Sequence, residues 1–142
     1  MKAYFCTIDL SIGDTTPGFV ISWANGTLPA NSVPTLAIND SITFQFTGRV
    51  VTSCVLHARP LATSETMSPF AATAGGTSPP NGEIDLLANP PASNTIYVVT
   101  LNGNWNFSLV GAYQATNTYG QPPFVVPFFM DPDADVGSGN PV

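Results

Sequence analysis

Apolar and polar residues alternate one for one at the start of this chain. Between positions 3 and 12, Tyr4, Cys6, Ile8, Leu10 and Ile12 fall on one side, and Ala3, Phe5, Thr7, Asp9 and Ser11 on the other. Period two is the pattern of a half-buried β-strand. Residues 13–18 read as a turn, and Phe19-Val20-Ile21-Ser22-Trp23 as a second, mostly buried strand that stops at Asn25-Gly26. Pro29 and Pro34 make 28–34 a loop, because proline cannot donate to a ladder. Leu36-Ala37-Ile38 predicts a short strand closed by Asn39-Asp40. Ile42, Phe44 and Phe46 then alternate with Thr43, Gln45 and Thr47 as core positions. Gly48 breaks or bulges the run before another strand-like stretch over 49–59.

From 60 to 82 the chain turns to Thr, Ser, Ala, Gly and Pro, with one possible helical turn at 63–67. A loop this long in a compact domain is usually a functional lid or disordered. Residues 84–87 predict a brief strand. Two apolar stretches, 95–101 and 104–110, then flank Asn102-Gly103. Asn-Gly tolerates the positive φ angles of a type I′ turn and is the strongest short hairpin signal. The expected register sets Leu101 against Asn104, Thr100 against Trp105, Val98 against Phe107 and Ile96 against Leu109, with Ile96, Val98, Trp105, Phe107 and Leu109 on one core face. After a loop at 115–121, Phe124-Val125-Val126-Pro127-Phe128-Phe129-Met130 is a final apolar strand. Pro127 assigns it to an edge or a bulge.

These elements predict an all-β protein of seven to nine short antiparallel strands. The expected architecture is a two-sheet β-sandwich, immunoglobulin-like in general plan, with a closed barrel as the alternative. At 142 residues the chain has the length of one domain. Residues 1–130 are expected to form the sandwich, and 131–142 an acidic, Gly-rich, solvated C-terminal tail.

Composition narrows the function classes more than it names one. Only 8% of residues are charged and the net charge is −6. Phosphate backbones and anionic membrane surfaces would repel such a chain, so neither nucleic acid nor membrane is an expected partner. Residues 1–9 show no signal-peptide core, and no apolar run reaches the length of a membrane span. The expectation is a cytoplasmic protein with Cys6 and Cys54 as free thiols.

Three of the four Lys, Arg and His residues, namely Arg49, His57 and Arg59, lie within eleven positions. On one unbulged strand they share a face. Arg49 and Arg59 would be about 33 Å apart, whereas His57 and Arg59 would be about 7 Å apart and able to touch one ligand. A small anion under a 60–82 lid is therefore one candidate function, with Arg49, His57 and Arg59 as candidate ligand-binding residues. Against it, these cations would simply hold the chain's own acids.

Metal and catalytic motifs are incomplete. Cys54, His57 and Met67 have the residue types of a copper site, but the chain has a single His and strand parity puts Cys54 and His57 on opposite faces. Two Cys and one His fall short of a zinc site. The Asp131, Asp133, Asp135 rhythm lacks the Gly and the terminal Glu of a calcium loop. No nucleophile elbow, paired-carboxylate spacing or phosphate-binding loop is present, so no cofactor or catalytic residue is expected and the reading leans away from an enzyme.

With Asp131-Pro132 near the C-terminus of a short acidic all-β chain, in the stretch Phe-Phe-Met-Asp-Pro-Asp at 128–133, the sequence resembles the bacterial DP-EP family. That resemblance implies a small β-sandwich over the whole chain and adds no mechanism. The leading functional expectation comes from residues 124–130, too apolar to leave exposed and interrupted by proline. They suggest a homo-oligomer, or a protein partner held through Phe124–Met130.

Overall fold

The computed structural model describes residues 1–12, 18–24, 35–60, 68–87, 94–100, 103–115, 124–130 and 133–136. Among them there is no helix, and the strands form two sheets. The first sheet contains β1 (Ala3–Ile12), β2 (Gly18–Ala24), β4 (Ser41–Thr47), β6 (Phe70–Ala71) and β8 (Thr95–Val98), in the order β2-β1-β4-β8-β6. The second contains β3 (Thr35–Leu36), β5 (Val51–Pro60), β7 (Glu83–Asp85), β9 (Gly103–Ala115), β10 (Phe124–Met130) and β11 (Asp133–Val136). Its order is β3-β11-β9-β5-β7, with β10 also paired to β9. The fold is an all-β, two-sheet sandwich. Among the described residues, eleven strand segments exceed the expected seven to nine, because β3, β6 and β7 are only two or three residues long. Two pairings, β1 with β4 and β3 with β11, are parallel where only antiparallel pairs were expected.

The alternation in β1 translates directly into burial. Tyr4, Cys6, Ile8 and Leu10 are buried, and Ile42 and Phe44 beside them complete the inner face of the first sheet with Phe70, Ile96 and Val98. From the second sheet Leu36, Cys54, Leu56, Ile84, Leu109, Tyr113, Phe128 and Met130 join the same cluster. Phe46 of β4 meets Phe128 of β10 at 6.4 Å between ring centroids, so the two inner faces interlock. Burying each such large side chain contributes about 1.5–3 kcal/mol.

The expected hairpin at Asn102-Gly103 does not form. β8 lies in the first sheet, where Ile42 pairs with Ile96 and Phe70 with Val98. β9 lies in the second. The reason is edge occupancy: a strand has two edges, and both strands have theirs filled by other partners. Val98 N–H donates to Asp40 O at 2.9 Å and Val99 N–H to Pro69 O at 2.8 Å, so this end of β8 is bonded within its own half of the sandwich. Asn102 itself, and the side chains of Trp105 and Phe107, lie outside the described residues.

β9 instead pairs with the two strands that come after it in the chain. Phe124 opposes Ala115, Met130 opposes Leu109, Asp133 opposes Asn106 and Val136 opposes Gly103. One constant register therefore runs through β10 and β11, and Asp133–Val136, expected in a solvated tail, is a paired strand against β9 and β3. At the centre of this pair Phe128 lies against Gly111, where a Cβ would come within 2.8 Å of the Phe128 ring and would collide with Ser53 O.

The sequence around Asp40 closes one end of the first sheet. The buried Asp40 carboxylate accepts Lys2 N–H on Oδ1 (2.8 Å) and Ala37 N–H on Oδ2 (2.9 Å), tying the start of β1 to the turn before β4. Asn39 takes the positive φ that this turn needs, a conformation asparagine tolerates better than most residues.

Candidate functional site

The three candidate cations do not share one strand face. Arg49 precedes β5, and a register shift between Val51 and Ser53 interrupts the parity that would align it with His57. His57 and Arg59 are both in β5, opposite Ser108 and Asn106 of β9; the Arg59 side chain lies outside the described residues. His57 Nδ1 is 3.3 Å from Glu83 Oε1 on the neighbouring β7, and both side chains are partly exposed. The acid beside His57 thus comes from the next strand. A carboxylate there opposes a second anion, and Ser108 on the other side of His57 is buried, so the row presents no exposed hydroxyl to the imidazole.

The expected lid is only partly described. Residues 61–67 lie outside the described set, but Phe70–Ala71 is fully buried in the first sheet, away from the His57 face. Cys6 and Cys54 are free, buried thiols, each pushed up to about 12 by desolvation, with the Asp85 charge adding to the effect at Cys54. Such thiols stay neutral and unreactive. Cys54 points into the core and His57 outward, as parity required, and Met67 is outside the described residues. Among the described residues no three His, Cys, Asp or Glu side chains gather as a metal site. An open cleft of about 190 Å³ at Met1, Asn39, Ala74, Gly75 and Tyr97 has no charged side chain in its lining.

What sequence reasoning located, without its geometry, is the β10 margin of the second sheet. Inward positions Val126, Phe128 and Met130 pack on the core, while Phe124, Val125 and Phe129 are 52%, 58% and 57% exposed. Register extends this surface inward. Phe129 opposes Val110, which is 41% exposed, and Val110 opposes Val55. An apolar row thus crosses three strands, spanning about 10 Å. Neither β9 nor β10 contains a charged residue.

Backbone direction decides what the open edge of β10 can do. Ala58 N–H donates to Gly82 O (3.0 Å) and Leu86 N–H to Cys54 O (2.9 Å), so even residues of β5 bond toward β7 and odd ones toward β9. Gln114 N–H donates to Val50 O (2.8 Å), so even residues of β9 bond toward β5 and odd ones toward β10. In an antiparallel ladder this assigns residues 124, 126, 128 and 130 to the bonds with β9. Val125, Pro127 and Phe129 turn their backbone groups to the other edge, which has no strand partner among the described residues. Pro127 therefore costs no internal hydrogen bond, and it removes the central donor from the exposed edge. That is a natural block to strand addition.

No family model, curated protein or solved structure matches the chain.

Proposed function

We propose that this protein acts by association through the outer face of the second sheet at its β10 margin, as a non-enzymatic cytoplasmic β-sandwich. The observation that carries the reading is the row Phe129, Val110 and Val55, apolar and accessible on a solvent-side face. Single exposed apolar residues are ordinary, whereas a contiguous apolar surface is a mark of interaction sites. The absence of charge along β9 and β10 removes the desolvation penalty that carboxylates or ammonium groups would add at such a contact.

Sedimentation across a wide concentration range tests this. The wild-type chain is expected to associate, and Phe129→Asp to abolish association without changing the circular dichroism spectrum. A wild-type chain that stays monomeric up to its solubility limit, with no gain in solubility in Phe129→Asp, overturns the reading. Anion binding at His57 and Arg59 is the weaker reading, since Glu83 already occupies the space beside the imidazole.

A further inference from the structure

We propose that Asn81-Gly82 is a self-modification site, at which the asparagine converts to isoaspartate or aspartate when the segment 78–83 opens. The fold itself creates this junction. Gly82 has φ +72°, and a Cβ there would come within 2.8 Å of Ala58 O, so the position calls for glycine. Asn81 closes the local turn with its side chain, whose Oδ1 accepts Glu83 N–H at 3.0 Å. Asparagine followed by glycine is the dipeptide most prone to cyclise, since no side chain shields the glycine nitrogen.

The reaction joins two atoms of neighbouring residues. The Gly82 nitrogen, once it has given its proton to hydroxide, attacks Asn81 Cγ; the N–Cγ bond forms, the Cγ–Nδ2 bond breaks and ammonia leaves. Water then opens the cyclic imide. Addition at Cγ leaves aspartate, and addition at the Asn81 main-chain carbonyl leaves isoaspartate, with the chain rerouted through Cβ and Cγ. Either product carries a new carboxylate two residues before Glu83.

In the folded chain both partners are engaged elsewhere. Gly82 N–H donates to Pro79 O at 3.1 Å, closing the turn Pro79-Pro80-Asn81-Gly82, and Gly82 O accepts Ala58 N–H at 3.0 Å. Glu83 N–H fixes the Asn81 amide. Beyond the turn, buried Ile84 and Leu86 anchor β7 on the core beside β5.

The gate is the approach to this turn. Ser78 is 5% exposed, and its Oγ has no hydrogen-bond partner among the described residues. A buried hydroxyl in that state has given up the bonds it makes in water, which favours opening. Opening returns Ser78 to water and frees Gly82 N–H from Pro79 O. Isoaspartate then prevents the native closure, because it adds a backbone carbon between Asn81 Cα and Gly82 N and turns the Glu83 acceptor into a main-chain carbonyl. The Ala58–Gly82 bond and the Glu83 carboxylate beside His57 lose their common register.

Peptide mapping by mass spectrometry, during incubation in mildly alkaline buffer, resolves Asn81 from Asn25 and Asn102, which also precede glycine. The folded chain should convert Asn81 at least about tenfold more slowly than the guanidinium-unfolded chain, because only the open population reacts. Ser78→Ala, which removes the buried hydroxyl, should slow conversion about fivefold, and Ile84→Val, which thins the β7 anchor, should speed it about threefold. Conversion as fast in native buffer as in guanidinium, or a folded-state rate that both substitutions leave unchanged, overturns the gate. An Asn81 that keeps its amide in guanidinium while Asn25 and Asn102 convert overturns the site.

Discussion

The two sheets are alike inside and different outside. Each buries an apolar inner face with one thiol, Cys6 in the first and Cys54 in the second. Outside, the first sheet surrounds one exposed aromatic, Phe5, with polar groups paired across its strands: Thr7 Oγ1 donates to Gln45 Oε1 at 3.1 Å, and the Thr43 and Thr95 hydroxyls are 2.9 Å apart. The second presents Phe129, Val110 and Val55 in one row. Water satisfies the polar groups of the first face, whereas an apolar row on the second would gain free energy by leaving water. Alternation alone builds a core; what stands on the other parity decides whether a face is finished or awaits a contact.

The inner faces should be broken most severely by alkali. Both thiols are neutral in the fold up to about 12, above their ordinary value of 9.0. Stability is fully present below pH 9 and lost as pH rises toward 12, because only the unfolded chain releases those protons; each thiol contributes up to about 1.4 kcal/mol per pH unit. Urea midpoints against pH should show this, with the slope halved in Cys6→Ala or Cys54→Ala. Gly111→Ala should cost about 2–4 kcal/mol at neutral pH, since the new Cβ meets Ser53 O and the Phe128 ring, and urea unfolding will report it.

Asp40→Ala tests the closed end of the first sheet. It leaves Lys2 N–H and Ala37 N–H without their acceptor and should lower stability by about 1–3 kcal/mol in the same assay. The outer faces give the sharpest contrast. Thr43→Val should cost about 0.5–1 kcal/mol of stability through the lost Thr95 bond and leave sedimentation unchanged. Phe129→Ser should do the reverse, holding stability within about 0.5 kcal/mol while weakening association tenfold or more. The smallest effect is expected at Asp9, whose carboxyl is held below its ordinary range by the Ser11 hydroxyl and then the Ser11 N–H. Its contribution is present above the ordinary carboxylate pKa and lost as pH falls through the lower folded value, so Asp9→Asn should flatten the acid limb of the stability profile.

Much of this was legible in the pattern. The β1 alternation named its buried residues, and Pro127 named an edge strand. The exposed apolar segment was legible from its composition, but its neighbours on the sheet, Val110 and Val55, lie 19 and 74 positions from Phe129 in the chain. No local signal links them. His57 was found by its rarity, and Glu83 was not, because a lone Glu in a turn-rich stretch becomes a partner only through β7 pairing with β5.

By itself the sequence determined which residues face inward, since side-chain direction in a strand follows from position and needs no partner. Tertiary structure alone decided which edges meet. Thr95–Val98 and Gly103–Ala115 are neighbours in the chain, yet they lie in different sheets because every edge is contested by all strands at once. The Asn102-Gly103 signal could not weigh β5 and β10 against β8. For the same reason the proposed contact lies on the face of β10 and not on its edge: only the ladder shows which way Pro127 points.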